Sequence, residues 1–125
     1  MSKKIISTRN APAAIGPYSQ AVKYGDTIYI SGQLPLNPET KEVENDVSRQ
    51  TEQSMKNIKA ILEEAGSSME KVLRCGIFVT DLGDFAAVNE VYASFFTSDF
   101  PARATVQVAA LPLGAKVEID AIAAA

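Results

Sequence analysis

Phe100-Pro-Ala-Arg-Ala-Thr-Val-Gln-Val-Ala-Ala-Leu-Pro-Leu-Gly-Ala-Lys-Val-Glu-Ile-Asp-Ala-Ile-Ala123 has the pattern of two short apolar strands joined by a Leu-Pro-x-Gly turn. Side chains alternate between the two faces of a strand. On the first strand Arg103, Thr105 and Gln107 therefore look one way, and Ala104, Val106 and Val108 the other. On the second, Glu118 and Asp120 share a face opposite Val117 and Ile119. If the turn through Leu111–Gly114 closes a hairpin, the two polar rows lie on one side of the sheet. Two readings stay open for such a pair of rows. One is a cross-strand surface ion pair worth ~0.2–1 kcal/mol. The other is a planar guanidinium gripping a ligand carboxylate through two N–H donors, with an acid close enough to order a water.

Outward from this segment, the remaining elements follow from periodicity. Cys75-Gly-Ile-Phe-Val79 is continuously apolar, the mark of a strand covered on both faces. Thr27-Ile-Tyr-Ile-Ser31 alternates, as a sheet with one covered face should. A helix is expected over 46–65, because Val47, Thr51, Ser54, Met55, Ile58, Ile61, Leu62 and Ala65 recur at helical spacing. Asn45 or Asp46 can cap its start, and Gly66 stands where a left-handed terminal residue is wanted. A second helix over 84–97 would bury Phe85, Val88, Tyr92, Phe95 and Phe96. Asp81 and Asp84 lie near its first turn, and Pro101 bars its continuation. Strands are expected near 4–8, 18–24, 27–32, 71–80, 103–109 and 116–123. No linker, repeat or low-complexity tract interrupts the pattern, so one domain over 1–125 is expected. Two helices cover one side of a sheet. A strand apolar on both faces then needs a second cover, and another copy of the chain is the simplest one.

Composition excludes several function classes. With 46% hydrophobic and 22% charged residues over 125 positions, the chain has globular composition. No apolar run is long enough to span a bilayer, and Lys3 and Lys4 precede only Ile5 and Ile6, too short for a secretory apolar region. A cytoplasmic location without membrane partners is the expectation. Histidine is absent, which removes Ser-His-Asp triads, Cys-His pairs and histidine bases. The single cysteine, Cys75, permits no internal disulfide and, without histidine, no usual zinc or iron ligand set. No Walker loop or dinucleotide fingerprint occurs, so no cofactor or metal is expected. A net charge of -3 and a pI near 4.9, with scattered basic residues, provide no footprint for nucleic acid. Cys75 lies inside an apolar run and fits a buried packing thiol better than a nucleophile.

Two further segments carry weaker signals. Gly16-Pro-Tyr-Ser-Gln20 is a turn entering a strand, with Tyr18 at the edge of the core. At Ser31-Gly32-Gln33 a strand ends, and Gly32 allows either an unusual backbone angle or close approach of a ligand. Asn89, on the second helix, is by pattern a solvated helix residue.

Several ordered blocks nevertheless resemble the Rid family (YjgF-type reactive intermediate deaminases), closest to its RidA subgroup. They are Ala11-Pro-Ala-Ala-Ile-Gly-Pro-Tyr-Ser-Gln-Ala21, Ser31-Gly-Gln-Leu-Pro-Leu-Asn-Pro38, Asn89-Glu-Val-Tyr-Ala-Ser-Phe-Phe96 and Pro101-Ala-Arg103 through Ala123. The resemblance implies a chorismate-mutase-like α+β fold, with a mixed, mainly antiparallel sheet backed by two helices. It also implies a homotrimer whose sheets form a central barrel with clefts between subunits. By the same resemblance Arg103 binds the carboxylate of a 2-imino acid and Glu118 lies near the hydrolytic water. Tyr18, Ser31, Gly32 and Asn89 match other cleft positions, and the Thr105 backbone N–H would help hold the anion.

The implied reaction is hydrolysis of 2-iminobutanoate or 2-iminopropanoate to the 2-oxo acid and ammonia. Such imines are already electrophilic once protonated, so positioning a substrate and a water suffices without histidine or metal. Where many relatives have Ser-Cys after the motif arginine, this chain has Ala104-Thr105, so no thiol takes part there. The alternative is a non-catalytic module using the same cleft to bind small 2-oxo acids. Ribonuclease or translation-inhibitor activity, also attached to this family, is opposed by the acidic pI and the missing histidine.

Overall fold

The computed structural model describes residues 1–125. Six strands, β1 (Lys4–Ile6), β2 (Ala21–Tyr24), β3 (Thr27–Gln33), β4 (Val72–Val79), β5 (Ala102–Gln107) and β6 (Val117–Ala124), form one sheet in the order β1-β2-β3-β6-β4-β5. Only the β4–β5 pair is parallel. Two helices, α1 (Val47–Glu64) and α2 (Phe85–Ala93), complete the elements. The mixed, mainly antiparallel sheet expected from the sequence is therefore present.

α1 buries the expected stripe of Thr51, Ser54, Met55, Ile58, Ile61 and Leu62. Asp46 caps it, accepting from Arg49 N at 3.1 Å, and Gly66 takes a left-handed φ of 79° just past its end. The stripe packs on Ile28, Ile30, Cys75, Ile77, Val79, Val117 and Ile119, all buried, which defines the helix-covered face of the sheet. Two polar residues of α1 that periodicity alone leaves unexplained are also buried. Asn57 Nδ2 donates to the carbonyls of Leu34 and Leu36 (3.1 and 3.0 Å). Gln50 donates to Glu44 O at 2.6 Å and accepts from Lys116 N at 2.8 Å. These amides tie the segment leaving β3 and the entry to β6 onto α1, satisfying backbone groups that no strand pairs. α2 is shorter than the expected 84–97. Phe95 and Phe96 lie beyond it yet still pack against the core.

The expected hairpin through Leu111–Gly114 does not form. Pro112–Gly114 is a single 3-10 turn in which Leu113 and Gly114 both take left-handed φ (62° and 65°). β4 lies between β5 and β6, so those strands are not neighbours. The reason is the crossover. β4 and β5 run parallel through α2, and a parallel pair cannot be joined by a tight turn.

The other face of β4 and β6 carries Gly76, Phe78, Glu118 and Asp120. Gly76 N donates to Asp120 Oδ1 at 2.8 Å, and a Cβ built at Gly76 would sit 2.5 Å from that oxygen. Gly76→Ala must displace the carboxylate and lose this charge-assisted bond, at a cost of about 2 kcal/mol. A thermal melt should show a midpoint about 5–10 °C lower.

Candidate active site

The residues expected to work together fall on opposite faces of the sheet. Register settles the faces. Arg103 pairs with Cys75, and Thr105 with Ile77, both of which point at the helices. Glu118 pairs with Phe78 on the other face. Arg103 and Glu118 of one chain therefore do not converge, contrary to the facing polar rows expected from the hairpin. Each instead lies in its own half of the candidate site.

The Arg103 half is built on α2. Its Nη1 donates to Asn89 Oδ1 at 2.6 Å, and its Cζ lies 5.4 Å from the Phe85 ring centroid and 5.1 Å from that of Tyr92. Both aromatic contacts are within cation–π range. No acid pairs with it, because the one ion pair of the chain joins Lys56 and Glu52. Thr105, two residues on, has a buried hydroxyl without a partner, as has Tyr92. Cys75 is fully buried behind them, and burial pushes its thiol up to about 11, which keeps it protonated and inert at neutral pH. Burial, followed by the neighbouring Cys75, raises the Tyr92 phenol as well.

The Glu118 half is a cleft of about 570 Å³ bearing Tyr18, Ser31, Gly32 and Glu118, with Ile15 and Leu113 among its apolar walls. It sits where β3 bulges, between the Ile30↔Ala121 and Gln33↔Ile119 pairs, so that Ser31 and Gly32 together oppose Asp120. Ser31 Oγ donates to Ser19 O at 2.6 Å, and Tyr18 Oη accepts from Ile15 N at 3.4 Å. Buried Gln20 holds the wall in place. Its Oε1 accepts from Thr8 N (2.7 Å), and its Nε2 donates to Thr8 O, Ala11 O and Pro12 O (3.0, 3.2 and 2.7 Å).

Burial first, and then the charge of Asp120, raise the Glu118 carboxyl above the usual glutamate range. Folding thus favours its protonated form. That contribution to stability is present at low pH and is lost as pH rises through the raised value. A Cβ at Gly32 would lie 3.0 Å from Glu118 Cδ and Oε2. Gly32→Ala should push this carboxylate aside with the melting temperature nearly unchanged, because only a side-chain end must move; a thermal melt checks it.

Four of the seven expected site residues, Tyr18, Ser31, Gly32 and Glu118, are thus brought together in the cleft. Arg103, Asn89 and Thr105 form the second group. Phe85, Tyr92 and Gln20 were not singled out as site residues by sequence. The first two were indistinguishable from core residues, and Gln20 was one letter of a turn motif. The i, i+4, i+7 spacing of Phe85, Asn89 and Tyr92 was the available signal.

One sheet backed by two helices, with a bulge-lined cleft on one face and a mounted arginine on the other, defines a chorismate-mutase-like α+β protein. The family described as Endoribonuclease L-PSP matches residues 8–125, and the chain belongs to this family, the Rid (YjgF) proteins. It is 58% identical to Protein DfrA of Myxococcus xanthus, over 98% of this chain and 96% of that one. It is 53% identical to the 2-iminobutanoate/2-iminopropanoate deaminase of Escherichia coli K12, over 96% of each. The crystal structure of E. coli TdcF with bound serine superposes with a TM-score of 0.95 at 47% identity, covering 98% of both chains. No helix is long and apolar enough to cross a membrane.

Proposed function

We propose that the protein hydrolyses small reactive 2-imino acids, 2-iminobutanoate and 2-iminopropanoate, to 2-oxo acids and ammonia. The observation that carries this is the unpaired Arg103 guanidinium, held by neutral groups and free to take a carboxylate. The full-length similarity to an imine deaminase supports the chemistry, and the serine-bound relative supports a small carboxylate as ligand. Glu118, whose carboxyl is made more basic than an ordinary glutamate by burial and Asp120, takes a proton from water as the water oxygen attacks the imine carbon. The C=N electron pair moves to nitrogen. On the protonated imine this gives a carbinolamine; Glu118 returns the proton to its nitrogen and then takes the hydroxyl proton as the C–N bond breaks, the carbonyl forms and ammonia leaves. The Thr105 backbone N–H and the bulge at Gly32 complete the anion pocket, with Tyr18 and Ser31 shaping its wall.

Because Arg103 and Glu118 lie on opposite faces, one chain cannot offer both to one substrate. A neighbouring copy must supply the second half. Exposed Leu73, Tyr29 and Val106 leave apolar surface for such packing. We infer a homotrimer with three intersubunit clefts, as in the family. A coupled assay tests the activity: threonine dehydratase generates 2-iminobutanoate in the presence of semicarbazide, which traps free imine. Faster 2-oxobutanoate formation with the protein is expected. No acceleration by a folded, trimeric sample would overturn the deaminase reading and favour a module that only binds 2-oxo acids.

A further inference from the structure

We propose that the face of α2 bearing Phe85, Asn89 and Tyr92 is a charge-neutral mount for Arg103, and that Asn89 is its positioning residue and not a substrate ligand. For its consequence in catalysis the proposal rests on the reading that Arg103 binds the substrate carboxylate. The three residues recur at i, i+4 and i+7 and so share one side of the helix. All three meet the same guanidinium. Asn89 Oδ1 accepts a hydrogen bond from Nη1 at 2.6 Å, and the rings of Phe85 and Tyr92 lie 5.4 and 5.1 Å from Cζ.

An arginine side chain left free would lose its rotamer freedom only when substrate binds, weakening binding by that entropy. The mount removes this loss beforehand. The two rings within cation–π range also favour the cation in this position while leaving its charge intact. The neutrality of the acceptor matters most. A carboxylate at the Asn89 position would satisfy the same donor but would cancel the charge that the substrate needs. The acids on α2 and at its start, Glu90 and Asp84, make no ion pair with Arg103. Asn89 is itself exposed, so replacing it does not threaten the core.

The experiment has a ligand-free arm and a kinetic arm. In the ligand-free protein, arginine side-chain 15N spectra should show two resolved Nη resonances for Arg103, the sign of hindered rotation about Cζ–Nη. Asn89→Ala should average them. Averaged resonances in the wild type would overturn the mount whatever the activity. In the coupled assay Asn89→Asp, which keeps the hydrogen bond but adds a charge, should raise KM about thirtyfold with kcat little changed and the melting temperature preserved. A merely structural role predicts the opposite ranking, with Asn89→Ala the more damaged, and a wild-type KM in Asn89→Asp would sink the proposal. If the wild type shows resolved Nη resonances but no imine hydrolysis, the mount stands and the deaminase reading fails.

Discussion

Arg103→Ala is expected to lower kcat/KM for 2-iminobutanoate by on the order of 10²–10³-fold, with a melting temperature close to wild type. Two charge-assisted hydrogen bonds to a carboxylate contribute about 3–4 kcal/mol together, and each 1.4 kcal/mol is a factor of ten. The side chain is on the exposed edge strand β5, makes no ion pair and is no part of the buried core, so the fold does not depend on it. Arg103→Lys should recover only part of the loss, because an ammonium keeps the charge but lacks the planar fork that Asn89 orients. Most of the effect should appear in KM, since the carboxylate is gripped in both ground and transition states. Steady-state kinetics in the coupled assay with semicarbazide measure both constants, and wild-type kinetics in Arg103→Ala would remove the carboxylate clamp from the mechanism.

The second large effect is expected at Glu118. Glu118→Gln keeps the shape of the cleft but cannot take a proton, and kcat should fall about 10²–10³-fold. The wild-type rate should fall on acidification through a pKa above the usual glutamate value, because burial and Asp120 favour the protonated, inactive form. That limb should vanish in the variant. The same substitution should raise the melting temperature at neutral pH, since it removes a charge that the folded state disfavours. An unchanged pH profile in Glu118→Gln would show that some other group carries the proton. Mixing unfolded Arg103→Ala and Glu118→Gln chains and refolding them together tests the shared cleft directly. About a quarter of the clefts in random trimers would combine an intact arginine with an intact glutamate, so activity should return to that fraction. No return of activity would place both residues of each site in one chain and contradict the opposed faces.

Most of the fold was legible because its signals are local. The stripe from Val47 to Leu62, the Asp46 cap and the left-handed Gly66 are dictated within one helix, and all three recur in the structure. The continuous apolar run Cys75–Val79 forms a strand as expected, and it lies inside the sheet between β6 and β5. What failed was the pairing of β5 with β6. A Leu-Pro-Leu-Gly turn between two apolar runs carries the same local pattern whether the runs pair or are separated by a third strand. Strand order is a long-range property, decided here by the parallel β4–α2–β5 crossover.

The residue types at the site, one arginine and a nearby pair of acids in a chain without histidine, were determined by the sequence alone. So were the absence of a cysteine pair and the motifs that mark the family. Which of these residues meet was decided only by the tertiary structure. It placed Arg103 among Phe85, Asn89 and Tyr92, and Glu118 across the sheet beside Gly32. The physical reason is that alternation along a strand assigns a side chain to one of two faces, but only register against the neighbouring strands says which face is which.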